Sequence, residues 1–252
     1  MTKTDTIENR VVRELCRRLG ISVKELMAVA CSPGITQHLR RLITNGVHVV
    51  AIEQARKIMG KNFADISVAN SLGFTFYQYD LLYKRGEIVI TQEELEACQK
   101  THVLVAVPPG SIVENRQVMD RRTQCPLYSY FHEHNDGFHT EPFANERGEA
   151  EWWLIRKQPQ SAQSIEDNQF LKGIDEVVPA RVVDYAIFVF SEMVHEPLFR
   201  STSVYCLDRL SDGRRVVINN INRHPMFLYL DSRESHPDVA GTVVGRRLES
   251  IL

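Results

Sequence analysis

The run over residues 179–194 carries apolar side chains round most of a helix. Proline suits a first helical position, because its φ is already set and it lacks an N–H that would be unpaired there, so Pro179 is read as the opening residue. Val182, Ala186, Val189, Phe190, Met193 and Val194 recur at helical spacing, and Val183, Ile187 and Phe188 widen the stripe. So broad an apolar face implies burial on most sides. Pro197 ends the run. Beyond it, residues 203–207 alternate, Ser211-Asp212-Gly213 turns the chain, and 215–218 return, which is a hairpin signal. A second turn region at 219–225 leads to a third strand over 226–230. The expectation is a long buried helix lying on a C-terminal antiparallel meander.

Two further stretches read as strands of a mixed sheet. Trp152-Trp153-Leu154-Ile155-Arg156-Lys157 puts Trp152, Leu154 and Arg156 on one face and Trp153, Ile155 and Lys157 on the other, so both faces are covered near its start. Trp153 and Ile155 are expected against the Val183-Ile187-Phe190 side of the long helix. Thr91-Gln92-Glu93-Glu94 is a capping box and starts a helix that runs to Lys100. His102-Val103-Leu104-Val105-Ala106-Val107 is a continuous apolar run stopped by Pro108-Pro109, as a buried strand is, since proline cannot donate to a ladder. One glycine behind two prolines is no phosphate-cradling fingerprint. Around them, Leu72, Phe76, Tyr79 and Tyr83 are read as a helix face, with a strand over 74–79 as the competing reading. Residues 87–90 are read as an extended link, 111–150 as polar chain without periodicity, and 165–171 as an exposed helix.

The first sixty residues have a different character. Ile7, Val11, Leu15 and Leu19 lie at helical spacing before Gly20, and Ser22 with Glu25 caps a second helix. A third would turn Ile35, Leu39, Leu42 and Ile43 inward and Gln37, Arg40 and Arg41 outward; a fourth spans 49–59 and closes at Gly60. Short helices with tight turns form both helix-turn-helix units and ordinary small bundles. Residues 1–60 hold ten Lys/Arg against five Asp/Glu, and the remainder twenty against twenty-seven. Gln37, Arg40, Arg41 and Lys24 are the candidate nucleic-acid contacts, as side chains able to meet phosphates or base edges; a solvated basic face is the plainer alternative. The division expected is a helical head over 1–60 and an α+β domain over 61–252.

A chain of 252 residues is long enough to bury a substantial core. A net charge of −2 makes the whole chain no general polyanion binder. The N-terminus lacks the apolar core of a signal peptide, and no apolar run approaches the length of a membrane span. Five scattered cysteines with no C-x-x-C pair argue for a reducing cytoplasm. The ligand-rich stretch runs from His132 to Glu141. On an extended backbone His132 and His134 share a face, and His139 or Glu141 returns across Asn135-Asp136-Gly137. Imidazoles with a carboxylate suit zinc, and with it a metal-dependent hydrolase; a solvated, titratable loop is the competing reading. No other cofactor is implied.

Several segments together resemble a family of bacterial hypothetical proteins without an assigned activity. They are Cys98-Gln99-Lys100-Thr101-His102-Val103-Leu104-Val105-Ala106-Val107 with Ser111-Ile112 beyond; Phe143-Ala144; Trp153-Leu154-Ile155-Arg156-Lys157; Glu176-Val177-Val178-Pro179-Ala180-Arg181-Val182; and Ser211-Asp212-Gly213-Arg214-Arg215-Val216. The resemblance runs from about residue 59 to 248. The chain departs from the pattern at 161–169 and after Met226, and 1–58 lie outside it. It implies one α+β domain and nothing about chemistry. No nucleophile elbow or Walker loop is present. The reading is therefore a non-catalytic cytoplasmic binding or structural protein, with a protein partner, self-association or nucleic acid as its interaction and no membrane.

Overall fold

The computed structural model describes residues 49–76, 86–123, 140–160, 175–194, 198–199, 202–221, 224–230, 239–248 and 250–251. All belong to one compact unit, Val49–Leu171 with Asp175–Leu252. The fold is α+β.

In chain order, β1 (Val49–Ala51) leads into α1 (Ile52–Met59), a 3-10 turn, and β2 (Phe63–Ala64). Asp65 then caps α2 (Ile66–Ser71), its carboxylate accepting from the backbone N–H groups of Ser67 and Val68. After β3 (Glu87–Val89), the Thr91–Glu94 capping box starts α3 (Gln92–Cys98), with the Glu94 N–H donating to Thr91 Oγ1 at 3.0 Å. β4 (His102–Val107) is buried throughout and is followed by α4 (Ile112–Thr123), α5 (Pro142–Asn145) and β5 (Glu151–Arg156). β6 (Glu176–Val177) precedes α6 (Ala180–Val194). The chain continues through β7 (Ser203–Arg209), β8 (Arg215–Ile221), β9 (His224–Leu230), β10 (Val239–Thr242), β11 (Val244–Leu248) and β12 (Ser250–Ile251).

These strands form a five-stranded sheet in the order β2-β4-β5-β11-β6, a four-stranded sheet β10-β7-β8-β9, and a small sheet β1-β3-β12. β2 runs parallel to β4, whereas β4, β5, β11 and β6 are antiparallel in succession. The expected meander is β7-β8-β9, with β10 added in parallel on β7. Its first turn closes with Gly213 at φ +88°, a region where L side chains are strained, and the Leu210 N–H donates to Arg214 O at 2.8 Å.

The long helix α6 packs against β4 of the five-stranded sheet and against β7, β8 and β9 of the meander. Its residues from Ala180 to Ser191 are all buried, which is the reason its apolar stripe is so wide. Phe74 meets Tyr185 and Phe188 edge-on, at ring distances of 4.9 and 6.0 Å. Pro179 lies one place outside the helix: its carbonyl accepts from the Val182 and Val183 N–H groups, while the Ala180 N–H donates to Asp208 at 2.5 Å. Trp152 and Trp153 are both buried, Trp152 stacking on Phe63 at 5.6 Å.

Four expectations are corrected. The helix expected over 49–59 begins only at Ile52, because Val49–Ala51 pair with β3 as a strand. The helix face begun by Leu72 and Phe76 does not form over the described part: α2 ends at Ser71 and the chain through Phe76 is turn and coil, held by burial of Phe74 and Phe76. The stretch 111–150 is not featureless, since α4 and α5 lie in it. The Thr91 helix stops at Cys98, two residues early, and the Thr101 N–H closes a turn on Cys98 O. The head residues before Val49 and the helix expected over 165–171 lie outside the described residues.

Candidate functional site

The two faces of the five-stranded sheet carry different polar clusters. Strand alternation puts Glu151, Trp153 and Ile155 on one face, and pairing of Val105 with Trp153 and of Val103 with Ile155 extends that face onto β4. This is the α6 face, because Glu151 pairs with Arg181 of α6. Arg181 also donates to Pro108 O at 2.7 Å and to Glu149 O at 3.3 Å, tying the ends of β4 and β5 to the helix. Gly148 lies directly on the guanidinium and has room for no Cβ. It exchanges backbone hydrogen bonds with Gly110 at 2.9 and 3.1 Å. Nearby, Arg116 of α4 holds Asp184 of α6. Burial pushes the Asp184 carboxyl up, and the Arg116 guanidinium pulls it back. The N-terminus of α4 is closed by its own side chains: the Ser111 N–H donates to Glu114 Oε2 at 2.8 Å and the Glu114 N–H to Ser111 Oγ at 3.2 Å. The loop after β4 thus caps a helix with its own carboxylate.

The opposite face is buried at Leu104, Trp152 and Leu154 and reaches solvent at its Arg156 end. His102 on β4 lies across from Arg156 on β5, and Arg246 on β11 lies across from Leu154, so both guanidiniums rise from the same face. Asp175, just before β6, lies 3.3 Å from Arg156 Nη2 and 3.8 Å from Arg246 Nε. Glu94 of α3 stands 3.7 Å from Arg246 Nη1. Burial and then the Arg156 charge push the His102 imidazole down to about 4, so it is neutral at pH 7. Its Nδ1 lies 2.8 Å from Thr101 Oγ1. Burial raises the Cys98 thiol, so it is no activated nucleophile.

No family model, curated protein or solved structure matches the chain.

Of the residues singled out from the sequence, His132, His134 and His139 lie outside the described residues, as do Gln37, Arg40, Arg41 and Lys24. Glu141 is described and is engaged elsewhere. Its carboxylate accepts from the Ser211 N–H at 2.8 Å and pairs with Ser211 Oγ at 3.1 Å, fastening α5 to the first hairpin turn. Among the described residues no group of three or more His, Cys, Asp or Glu is placed to hold a metal ion, and no helix is long and apolar enough to cross a membrane. Sequence reasoning missed the arginine pair and the Arg181 strut. Two local signals were present nearby, though neither brings the partners together. Arg246-Arg247 sits on a strand, where alternation sends one cation to Glu94 and Asp175 and the other to Glu151. Ser111-Ile112-Val113-Glu114 is a capping box of the same form as Thr91–Glu94.

Proposed function

We propose that the chain is a cytoplasmic, non-catalytic binding protein, in which the α+β body is a scaffold and the basic helical head takes an anionic partner, nucleic acid first. The observation that carries this is the charge division: ten Lys/Arg against five Asp/Glu in residues 1–60, with the rest of the chain acidic. Among the described residues, the reactive groups of the body are in keeping with this reading. Burial raises the thiols of Cys98 and Cys206, the His102 imidazole is held neutral, and Asp184 and Glu151 are engaged by arginines. Cys98 and Cys206 are free thiols, in keeping with a reducing compartment. Self-association or a protein partner through the same head is the neighbouring form of this reading.

The test is fluorescence anisotropy of labelled duplex DNA with the intact protein across a salt series. Binding at low salt should weaken steeply as salt rises, because each phosphate contact releases counterions. The Arg40→Ala/Arg41→Ala variant should lose affinity and salt slope together. DNA that stays free at low salt, or binds this variant as well as the parent, removes nucleic acid as the partner. In parallel, zinc added to chelated protein should leave the melting temperature unchanged. A saturable rise that disappears in a His132→Ala/His134→Ala variant would move the reading to a metal-dependent hydrolase.

A further inference from the structure

We propose that Arg156 and Arg246 form a phosphate-binding site at the solvent-reaching end of the sheet face opposite α6, with Asp175 as a resident counter-ion that phosphate displaces. The proposal does not rest on the head binding nucleic acid.

The geometry of the two arginines differs from that of the buried Arg116–Asp184 pair. Arg116 meets Asp184 through two bonds, at 2.8 and 3.3 Å. Asp175, by contrast, reaches Arg156 at 3.3 Å through one nitrogen and stands off Arg246 at 3.8 Å, beyond hydrogen-bond length. Glu94 stands off Arg246 at 3.7 Å and also serves the Thr91 capping box. Among the described residues the Nε atoms of both arginines are buried without a hydrogen-bond acceptor. Two guanidiniums rising from neighbouring strands therefore share one carboxylate that fits neither fork. A guanidinium fork is matched by two oxygens on one centre. A planar carboxylate offers two oxygens in one plane. A tetrahedral phosphate presents oxygens in several directions and so serves two forks at once.

Access and charge agree with this. The Arg156 side chain is 42% exposed, Asp175 25% and Arg246 19%, so solvent enters from the Arg156 side. The two arginines balance Asp175 and Glu94, so displacing Asp175 frees one net positive charge for the incoming anion, with Glu94 still beside Arg246. His102 lies across from Arg156 as a neutral imidazole, and it adds a polar neighbour without adding charge. The ligand class is a compact phosphate, free or as a small monoester.

The experiment is a titration of the intact protein with inorganic phosphate, against sodium chloride at matched ionic strength, read by thermal shift and by 31P line broadening. Glycerol phosphate in a second arm distinguishes a monoester from the free ion. A saturable rise in melting temperature is expected, lost in Arg156→Gln and in Arg246→Gln. Asp175→Asn keeps the shape and removes the competing charge, so it should tighten phosphate by roughly tenfold, the scale of one nearby charge after solvent screening. This variant also keeps the test decisive where an arginine variant folds poorly. No saturable effect in the parent or in Asp175→Asn overturns the site, as does an equal effect in folded arginine variants or a weaker one in Asp175→Asn.

Discussion

Arg116 of α4 grips Asp184 of α6 through two hydrogen bonds, one to each carboxylate oxygen, with side-chain exposures of 5% and 1%. Two charges withdrawn this far from water are tolerated only because each answers the other. Truncating one partner leaves the other charge buried alone. Asp184→Ala is therefore expected to cost about 3–5 kcal/mol. Replacing both, as Arg116→Met with Asp184→Leu, should recover most of that loss, because the pair's desolvation is removed together with its attraction. Urea unfolding of the single and double variants reads both numbers. A neutral Asp184→Ala would mean that water reaches the pair.

His102 sets a second expectation, in the pH dependence of stability. Its folded value is about 4 against an ordinary 6.5, so the unfolded chain takes up a proton in that window and the folded chain does not. The sign follows from linkage: stability holds above pH 6.5 and falls as pH is lowered from 6.5 towards 4. His102→Gln should flatten that part of the profile while leaving the fall below pH 4, where carboxylates protonate. Melting temperatures at half-unit steps from pH 4 to 7 test it. An unchanged slope in the variant would place the titration elsewhere.

Trp153 supplies the third. It is buried on the sheet face shared with Glu151, the face that Arg181 of α6 meets. Removing such a side chain typically costs about 3–5 kcal/mol, through lost burial and the cavity left behind. Total stability of a domain is only about 5–15 kcal/mol. Trp153→Ala should thus leave the body largely unfolded or aggregated. Gln160→Ala is the control. Its bridge to Thr242 uses backbone N–H and C=O on both residues, which the substitution keeps. A Trp153→Ala protein that melts within a degree or two of the parent would mark the indole as a surface anchor.

Much of this body was legible in the sequence where one local rule spoke clearly. The buried strand 102–107, the Thr91 capping box, the Ser211-Asp212-Gly213 turn and the helix after Pro179 each carry a period or a cap that tertiary packing has no reason to override. The errors share a different cause. Phe74 and Phe76 are buried from irregular chain, and Phe74 meets Tyr185 and Phe188 of α6, so their apolar character reflects burial instead of a helical period. α4 is mostly polar, so its start was written in Ser111 and Glu114 and its body was not visible as a stripe. The arginine cluster is beyond any local window. Arg156 and Arg246 become neighbours only because β11 pairs with β5, a register set by burial of strands far apart in sequence.

β11 lies between β5 and β6 in the five-stranded sheet, and β10, its predecessor by one residue, pairs with β7 in the other. Val243 joins them: its N–H donates to Tyr205 O and its carbonyl accepts from the Val178 N–H. The strand carrying both tryptophans therefore has an unfilled edge throughout synthesis of α6 and the meander. An apolar edge left open this long is a template for pairing with another chain. Yield from refolding should thus depend on protein concentration more than on time, and a peptide spanning residues 239–248 should compete for the gap while it lasts.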